Sequence, residues 1–462
     1  MPVTTVGEQQ VKITIVGAGD VGFHIAKRLS DENQDVVVLD KNPEKIAQIN
    51  ENLDVQAMLG SGTSPQMLKD SGVTNARIII AATDSDEANL IACMIARNLN
   101  PVILKVARLR NQEFLKEEKL LGDEGLGIDQ VINPELVMVE TILNLMMFPG
   151  ASEVIDFEDG RVKLVGVTIR NDSPFVGRRF RDISKGEGGL LVGAIVRGNQ
   201  VLIPHGNDHI KADDLLYVVT IPDQLDKLFR KLYGRDRELK RVCIVGAGAT
   251  GASLAAALDR SRISVKIIEK NSAICTNLAQ NLDKVTVING DGTNRDLLRE
   301  ENISEVDFIV AVTGDEESNV LMSLLAKTLG AKRAITRIDK LSYLPLVSII
   351  GIDSVVSARL SAVRAILQYI RRGKVLSVVP LEGKRAQVIE AEALRTADIV
   401  DTPLSQVKFP KGAILGAIIR DDKIIIPSGD SVVREKDRLI IFALDKVITS
   451  LEKLLTVKLE YI

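Results

Sequence analysis

The chain has 462 residues, which at roughly 150 residues per domain corresponds to about three domains. Hydrophobic residues are 45% and charged residues 26%, which excludes the disordered and fibrous classes. The 59 Lys and Arg nearly balance the 62 Asp and Glu, for a net charge of -3, so the basic excess of a nucleic-acid-binding protein is missing.

The opening MPVTTVGEQQ has neither the basic start nor the apolar stretch of a signal peptide. No uncharged apolar run reaches about 18 residues, so no transmembrane helix is expected. Cys93, Cys243 and Cys275 are too few and too scattered for a disulfide framework. The expectation is a soluble cytoplasmic protein in a reducing compartment, still able to dock on a membrane protein.

From residue 11, strand and helix patterns alternate. VKITIVGAG is a short apolar run ending in glycines, a buried strand, and VGFHIAKRLS follows with helical spacing. DVVVLD is a second strand, and NPEKIAQINE a helix with Pro43 in its first turn. DVQAMLG, ARIIIAAT and PVILKVAR are further strands, with helices over SPQMLKDSG and EANLIACMIARNL. Apolar strands joined by helical crossovers specify a parallel sheet covered on both faces. PELVMVETILNLMMF (134–148) then carries more apolar residues than one helix face needs, as does SARLSAVRAILQYI (357–370). Each is either an interdomain or intersubunit packing helix or an ordinary cover helix on the sheet. Beyond 150, short runs (VGVTI, LLVGAIVR, QVLIP, LLYVV) alternate with turns, which points to a small α+β domain with a mixed or antiparallel sheet.

The pattern then repeats. Gly17 aligns with Gly246, Asp40 with Glu269, Thr63 with Thr293, AATDSDEAN (81–89) with AVTGDEESN (311–319), and Arg108 with Arg337, all shifted by 229 or 230 residues. LLVGAIVRGNQVLIPHG (190–206) reappears as AILGAIIRDDKIIIPSG (413–429). The chain is therefore a duplication of a larger α/β unit plus a smaller α+β unit. Its fold class is α/β, with two Rossmann-like doubly wound parallel sheets, each followed by a small lobe. The expected boundaries are an extension at 1–10, a first nucleotide-binding lobe with packing helix at 11–150, its small lobe at 151–237, and the second pair at 238–373 and 374–462.

Gly17-x-Gly19-x-x-Gly22 lies between a strand and a helix. Gly17 permits the tight turn, Gly19 lets backbone approach a phosphate, and Gly22 lets the helix pack on the strand. Asp40 ends the second strand, where a carboxylate accepts from a ribose diol and repels a 2′-phosphate. Gly246-x-Gly248-x-x-Gly251 with Glu269 reproduces the arrangement. Gly60-Ser61-Gly62-Thr63 and Gly290-Asp291-Gly292-Thr293 stand where an adenine edge is read. Thr83-Asp84 and Thr313-Gly314 lie at the carboxyl edge of the fourth strand. For Ser85, Asp86 and Asp315, helix capping is the expected role. Arg108 and Arg337 end the fifth strand and either reach a ligand phosphate or form surface salt bridges.

No catalytic set emerges. Histidines are only His24, His205 and His209, and the second half has none. His24 reads as packing. His205 and His209 lack a third metal ligand. The cysteines read as packing. The residues describe two binding sites with no chemistry between them, and the enzyme alternative is a soluble NAD-dependent oxidoreductase. A scaffold with empty loops is a third reading.

GAGDVG, VVLD, GSGT and ATDSDEAN, then GAGATG, IIEK, GDGT and TGDEESN, with the LGAIIR and IIPSG of the small lobes, carry a resemblance. The chain resembles the TrkA family, potassium-uptake regulators built from two RCK (regulator of potassium conductance) units. Each unit has a nucleotide-binding lobe and a C-terminal TrkA_C-type lobe. The resemblance covers all but about ten N-terminal residues. It implies a non-enzymatic regulatory subunit, peripheral on the inner face of the cell membrane. It implies homo-oligomeric rings, tetramers in the family, that gate a Trk-type potassium-translocating integral membrane subunit. The ligands it implies are NAD(H), with ATP or ADP at one of the two sites. Carried over residue by residue, the first site is Gly17, Ala18, Gly19, Asp20, Val21, Asp40, Thr83, Asp84 and Arg108. The second is Gly246, Ala247, Gly248, Ala249, Thr250, Glu269, Thr313, Gly314 and Arg337. Ser61 stands where the second copy has Asp291, and Asp84 where it has Gly314, so the two sites are expected to prefer different nucleotides.

Overall fold

The computed structural model describes residues 12–31, 34–148, 150–157, 160–182, 190–198, 200–233, 239–340, 343, 350–370, 375–381, 386–421 and 423–455. The expected extension at 1–10 lies outside them, and so do the residues at two expected boundaries, 237 and 373.

The first sheet is built from β1 (Lys12–Val16), β2 (Asp35–Asp40), β3 (Gln56–Leu59), β4 (Ile78–Ala81), β5 (Leu104–Arg108) and β6 (Gln130–Ile132). Its order is β3-β2-β1-β4-β5-β6, and every pairing is parallel. Helices α1 (Asp20–Asp31), α2 (Pro43–Asn52), α3 (Pro65–Asp70) and α4 (Asp86–Leu99) make the crossovers. Two short helices, α5 (Gln112–Lys116) and α6 (Glu118–Leu121), follow β5, and α7 (Pro134–Met147) follows β6. The strand order reverses between β1 and β4, which opens a crevice at their carboxyl ends. The apolar runs that specified the strands are the core: Ile13, Ile15, Val38, Ile78, Ile80 and Val106 are buried together with Ile25 and Leu29 of α1.

The small lobe has β7 (Ala151–Phe157), β8 (Val162–Thr168), β9 (Leu190–Arg197), β10 (Gln200–Leu202), β11 (Leu215–Thr220) and α8 (Pro222–Tyr233). Its sheet, β10-β9-β11-β8-β7, is antiparallel throughout. The second α/β unit repeats the first with β12 (Arg241–Val245), α9 (Ala249–Asp259), β13 (Ser264–Glu269), α10 (Ser272–Asn281), β14 (Thr286–Asn289), α11 (Arg295–Glu300), β15 (Phe308–Ala311), α12 (Glu316–Thr328), β16 (Arg333–Arg337) and β17 (Ser354–Val356). Its order, β14-β13-β12-β15-β16-β17, matches the first sheet strand for strand. After α13 (Ala358–Ile370) the second small lobe adds β18 (Val375–Pro380), β19 (Ala386–Glu392), β20 (Ala413–Arg420), β21 (Lys423–Ile425), β22 (Arg438–Leu444) and α14 (Ile448–Leu455), in the order β18-β19-β22-β20-β21.

The chain divides into two compact units. One comprises the first parallel sheet together with α13. The other comprises the second parallel sheet, both small lobes and α7 from Met138 onward. Helix α13, which follows the second sheet in the chain, lies against α1 of the first. It buries Ala362, Val363, Ile366 and Leu367 in that core, and Arg359 reaches Asp20 at 2.7 Å. Of the two readings of 357–370, interdomain packing is the one observed.

The two small sheets pack face to face within the other unit. Phe157, Leu164, Tyr217 and Val219 of one meet Val388, Ile440 and Phe442 of the second. Each small lobe is also closed by one bidentate ion pair. Arg197 holds the fully buried Asp214 through two bonds of 2.7 Å, and Arg420 holds Asp437 at 2.8 and 2.7 Å. Asp214 further accepts from the Lys211 amide, and Arg197 donates to the His209 carbonyl, so PHGNDH is a loop wrapped on this pair. Both His205 and His209 are exposed.

Packing between the small sheets is intolerant at Gly193 of β9. A Cβ there would lie 2.1 Å from the fully buried Phe442 ring. Gly193→Ala is expected to cost about 1–3 kcal/mol of stability, read as a lower midpoint in denaturant unfolding. An unchanged midpoint would show that the two sheets are not packed this closely.

Candidate functional site

The loop after β1 turns because Gly17 adopts φ +106°, a conformation that side-chain-bearing residues rarely take, and a Cβ would strike Thr83 N at 2.9 Å. Gly246 repeats this at φ +98°, against Thr313 N. Each loop is tied down by the carboxylate that ends the second strand. Asp40 accepts from the amides of Ala18 (2.6 Å) and Asn42 (2.8 Å). Glu269 accepts from those of Ala247 and Asn271, both at 2.8 Å. Asn42 and Asn271 in turn cap α2 and α10. The carboxylate read from the sequence as a ribose acceptor is thus also the latch that positions the glycine loop.

Opposite this loop, Thr83 is fixed by Asn89, whose Oδ1 accepts from the Thr83 amide (2.9 Å) and hydroxyl (2.7 Å). Asn89 is fully buried and donates to the carbonyls of Thr83 (3.2 Å) and Arg108 (2.8 Å). Thr313, Asn319 and Arg337 form the same network. This explains the spacing of TDSDEAN and TGDEESN: threonine and asparagine lock the fourth strand's exit to the end of the fifth. Ser85 and Asp315 cap their helices. Asp86 does not; its carboxylate instead accepts from the amides of Arg110 and Asn111, and Glu316 does the same for Asp339 and Lys340.

The first crevice is a cavity of about 500 Å³, a size suited to a nucleotide-like ligand. Gly17, Gly19, Asp40, Ser61, Thr83 and Asp84 line it. Arg108 stands behind two of them, donating to the Thr83 carbonyl (3.2 Å) and Asp84 (3.3 Å). The guanidinium is buried, and its Nε lacks a hydrogen-bond partner. Burial lowers its pKa, and neighbouring Arg110 adds to the effect. Two residues on the expected list turn away: Asp20 pairs with Arg359, and Val21 is buried in the core. In the second copy, Arg337 binds Asp339 at 2.8 Å, and Thr250 is buried. Asp291 closes its own turn by accepting from the Thr293 amide and hydroxyl, which lowers its pKa.

Lys41 and Lys45 also line the first cavity and were not singled out in the sequence. Lys41 was recognisable as the neighbour of Asp40. Lys45 is placed only by the course of α2, which brings its ammonium within 3.6 Å of where a Cβ on Gly19 would stand. Burial pushes the Cys93 and Cys243 thiols up to about 12, and Cys275 is also buried. His24 stands edge-on to Phe23 on α1. Among the described residues, no group of His, Cys, Asp and Glu could hold a metal ion, and no helix is long and apolar enough to cross a membrane.

Residues 13–134 and 242–358 match the TrkA-N domain, and 164–233 and 388–456 match the TrkA-C domain. The chain belongs to the TrkA family. It is 37% identical over 462 residues to a Trk system potassium uptake protein TrkA homolog 2 of Methanosarcina mazei, covering 96% of this chain and 100% of that protein. It is 34% identical to the Trk system potassium uptake protein TrkA of Halomonas elongata, covering 98% and 100%. Among solved structures, the GsuK RCK domain shares the fold with a TM-score of 0.60 at 19% identity, covering 99% of this chain and 96% of that one. A GsuK channel bound to NAD matches with a TM-score of 0.61 at 19% identity, covering 99% and 80%.

The latch is testable by Asp40→Asn. An amide group offers only one accepting oxygen, so either the Ala18 or the Asn42 N–H is left without its partner. Faster hydrogen exchange at Ala18 or Asn42 is expected, with a stability loss of about 1–3 kcal/mol. Unchanged exchange at both amides would remove the carboxylate from its role in holding the loop.

Proposed function

We propose that this protein is a nucleotide-sensing regulatory subunit that gates a potassium-translocating membrane protein of the Trk type. The observation that carries the ligand part is the space above the middle glycines. A Cβ on Gly248 would meet nothing within 4 Å, and one on Gly19 only the Lys45 ammonium. Neither glycine is required by the protein's own packing, yet both stand where loop amides and a helix N-terminus face outward. Adenine nucleotides, NAD(H) and ATP or ADP, have the phosphates and ribose that this pairing of amides and carboxylate recognises. The site residues are those expected from the sequence, less the side chains of Asp20, Val21 and Thr250.

The regulatory part rests on family membership. Relatives bear the name of the Trk potassium uptake system, and the RCK fold is shared with a channel described with NAD bound. The subunit works as a homo-oligomeric ring, a tetramer, docked on the cytoplasmic face of its membrane partner. A nucleotide acts through its different affinities for two ring conformations. A coupling of about 1–3 kcal/mol is enough for useful control.

Gly19→Ala and Gly248→Ala test the reading without disturbing the fold. Each methyl enters space the protein leaves open and the ligand needs. Calorimetric titration with adenine nucleotides is expected to show each variant weakening one of two sites at least tenfold, with an unchanged unfolding midpoint. Full binding at both sites in both variants would contradict the reading.

A further inference from the structure

The two crevices share a backbone and differ in how their cations are paired. In the second copy, Lys270 holds Asp291 at 3.1 Å, and Arg337 holds Asp339 at 2.8 Å. In the first copy both carboxylates are replaced: Ser61 stands for Asp291, and Arg110 for Asp339. Lys41, the counterpart of Lys270, therefore has no carboxylate partner among the described residues. Lys45 has none either, and its counterpart on α10 is Ile274. Asp84 serves two guanidiniums, Arg108 at 3.3 Å and Arg110 at 3.5 Å, while Glu135 approaches Arg110 only at 3.9 Å. Gly314 removes the Asp84 carboxylate from the second copy.

The first crevice thus carries two lysines with no ion-pair partner among the described residues, whereas the second holds Lys270 and Arg337 in ion pairs. An incoming anion adds to the first as a missing partner and has to compete with Asp291 and Asp339 at the second. The Lys45 ammonium is placed to matter most, because it overhangs Gly19 on the path a phosphate chain takes across the glycine loop.

We propose that the first crevice selects a nucleoside polyphosphate, that the second accepts a less anionic dinucleotide, and that Lys45 is the residue that divides them. This rests on the reading of both crevices as nucleotide sites. A nucleoside diphosphate ends in a doubly ionisable phosphate, whereas each phosphate of a dinucleotide carries a single charge, held between a ribose ester and the shared anhydride. An extra lysine favours the former. Lys45 is half-exposed on α2 and makes no ion pair among the described residues. Isoleucine occupies the same place in the second copy, so the exchange suits the helix.

The full chain, as wild type, Lys45→Ile and Ile274→Lys, is titrated by calorimetry with ADP and separately with NAD. Wild type is expected to bind ADP in two classes at least tenfold apart. Lys45→Ile is expected to weaken the tight class about tenfold while changing NAD binding less than about threefold. Ile274→Lys is expected to tighten the weak ADP class by a similar factor. Raising the salt concentration is expected to narrow the gap between the classes in wild type. A single ADP class in wild type, or ADP affinity unmoved in both variants while nucleotide still binds, overturns the division. No binding of either probe to wild type overturns the prior reading of the crevices themselves, and the division falls with it.

Discussion

Both halves depend on one arrangement, a carboxylate at the end of the second strand that gathers two backbone amides. Asp40 joins the glycine loop to the start of α2, and Glu269 joins its loop to α10. The positive φ of Gly17 and Gly246 turns the chain back toward this acceptor. With one amide committed to the carboxylate, the loop is held in a single shape and its outer face is left for a ligand. Each carboxylate oxygen keeps lone-pair capacity beyond the amide it accepts. Latching the loop and receiving a ribose hydroxyl are therefore compatible duties for one side chain.

The parallel sheets were legible because their strands are short, apolar throughout and bounded by glycine or aspartate, and because the same landmarks recur at one register. The small lobes were legible as α+β units with turns, their sheets left as mixed or antiparallel. Three-residue strands such as Gln130–Ile132 and Ser354–Val356 were not seen, since so short a segment carries no period. The end helices α8 and α14 were likewise missed behind stronger strand signals. The partner of α13 could not be read at all: its apolar residues declare that it is covered, but only the folded chain shows that α1 does the covering.

The candidate site divides in the same way. Glycines, the strand-end carboxylates and the threonines were legible because backbone geometry demands them at fixed spacing. The charge pairing was not. Asp20 looked like part of the loop yet is drawn off by an arginine hundreds of residues downstream. Arg108 and Arg337 looked equivalent, but their surroundings differ, one sharing Asp84 with a second arginine and the other holding Asp339. Asn89 and Asn319 were visible only inside a motif, and their work is structural: each binds the exits of two strands. Duplication preserved the latch and the threonine–asparagine network while the charged rim diverged.

The central claim is that both glycine-loop crevices of one chain hold a nucleotide. Equilibrium dialysis of the purified full-length protein against a labelled adenine nucleotide, at concentrations well above both affinities, measures this directly. The account predicts saturation at two equivalents per chain. Saturation below one equivalent, or none, would contradict it.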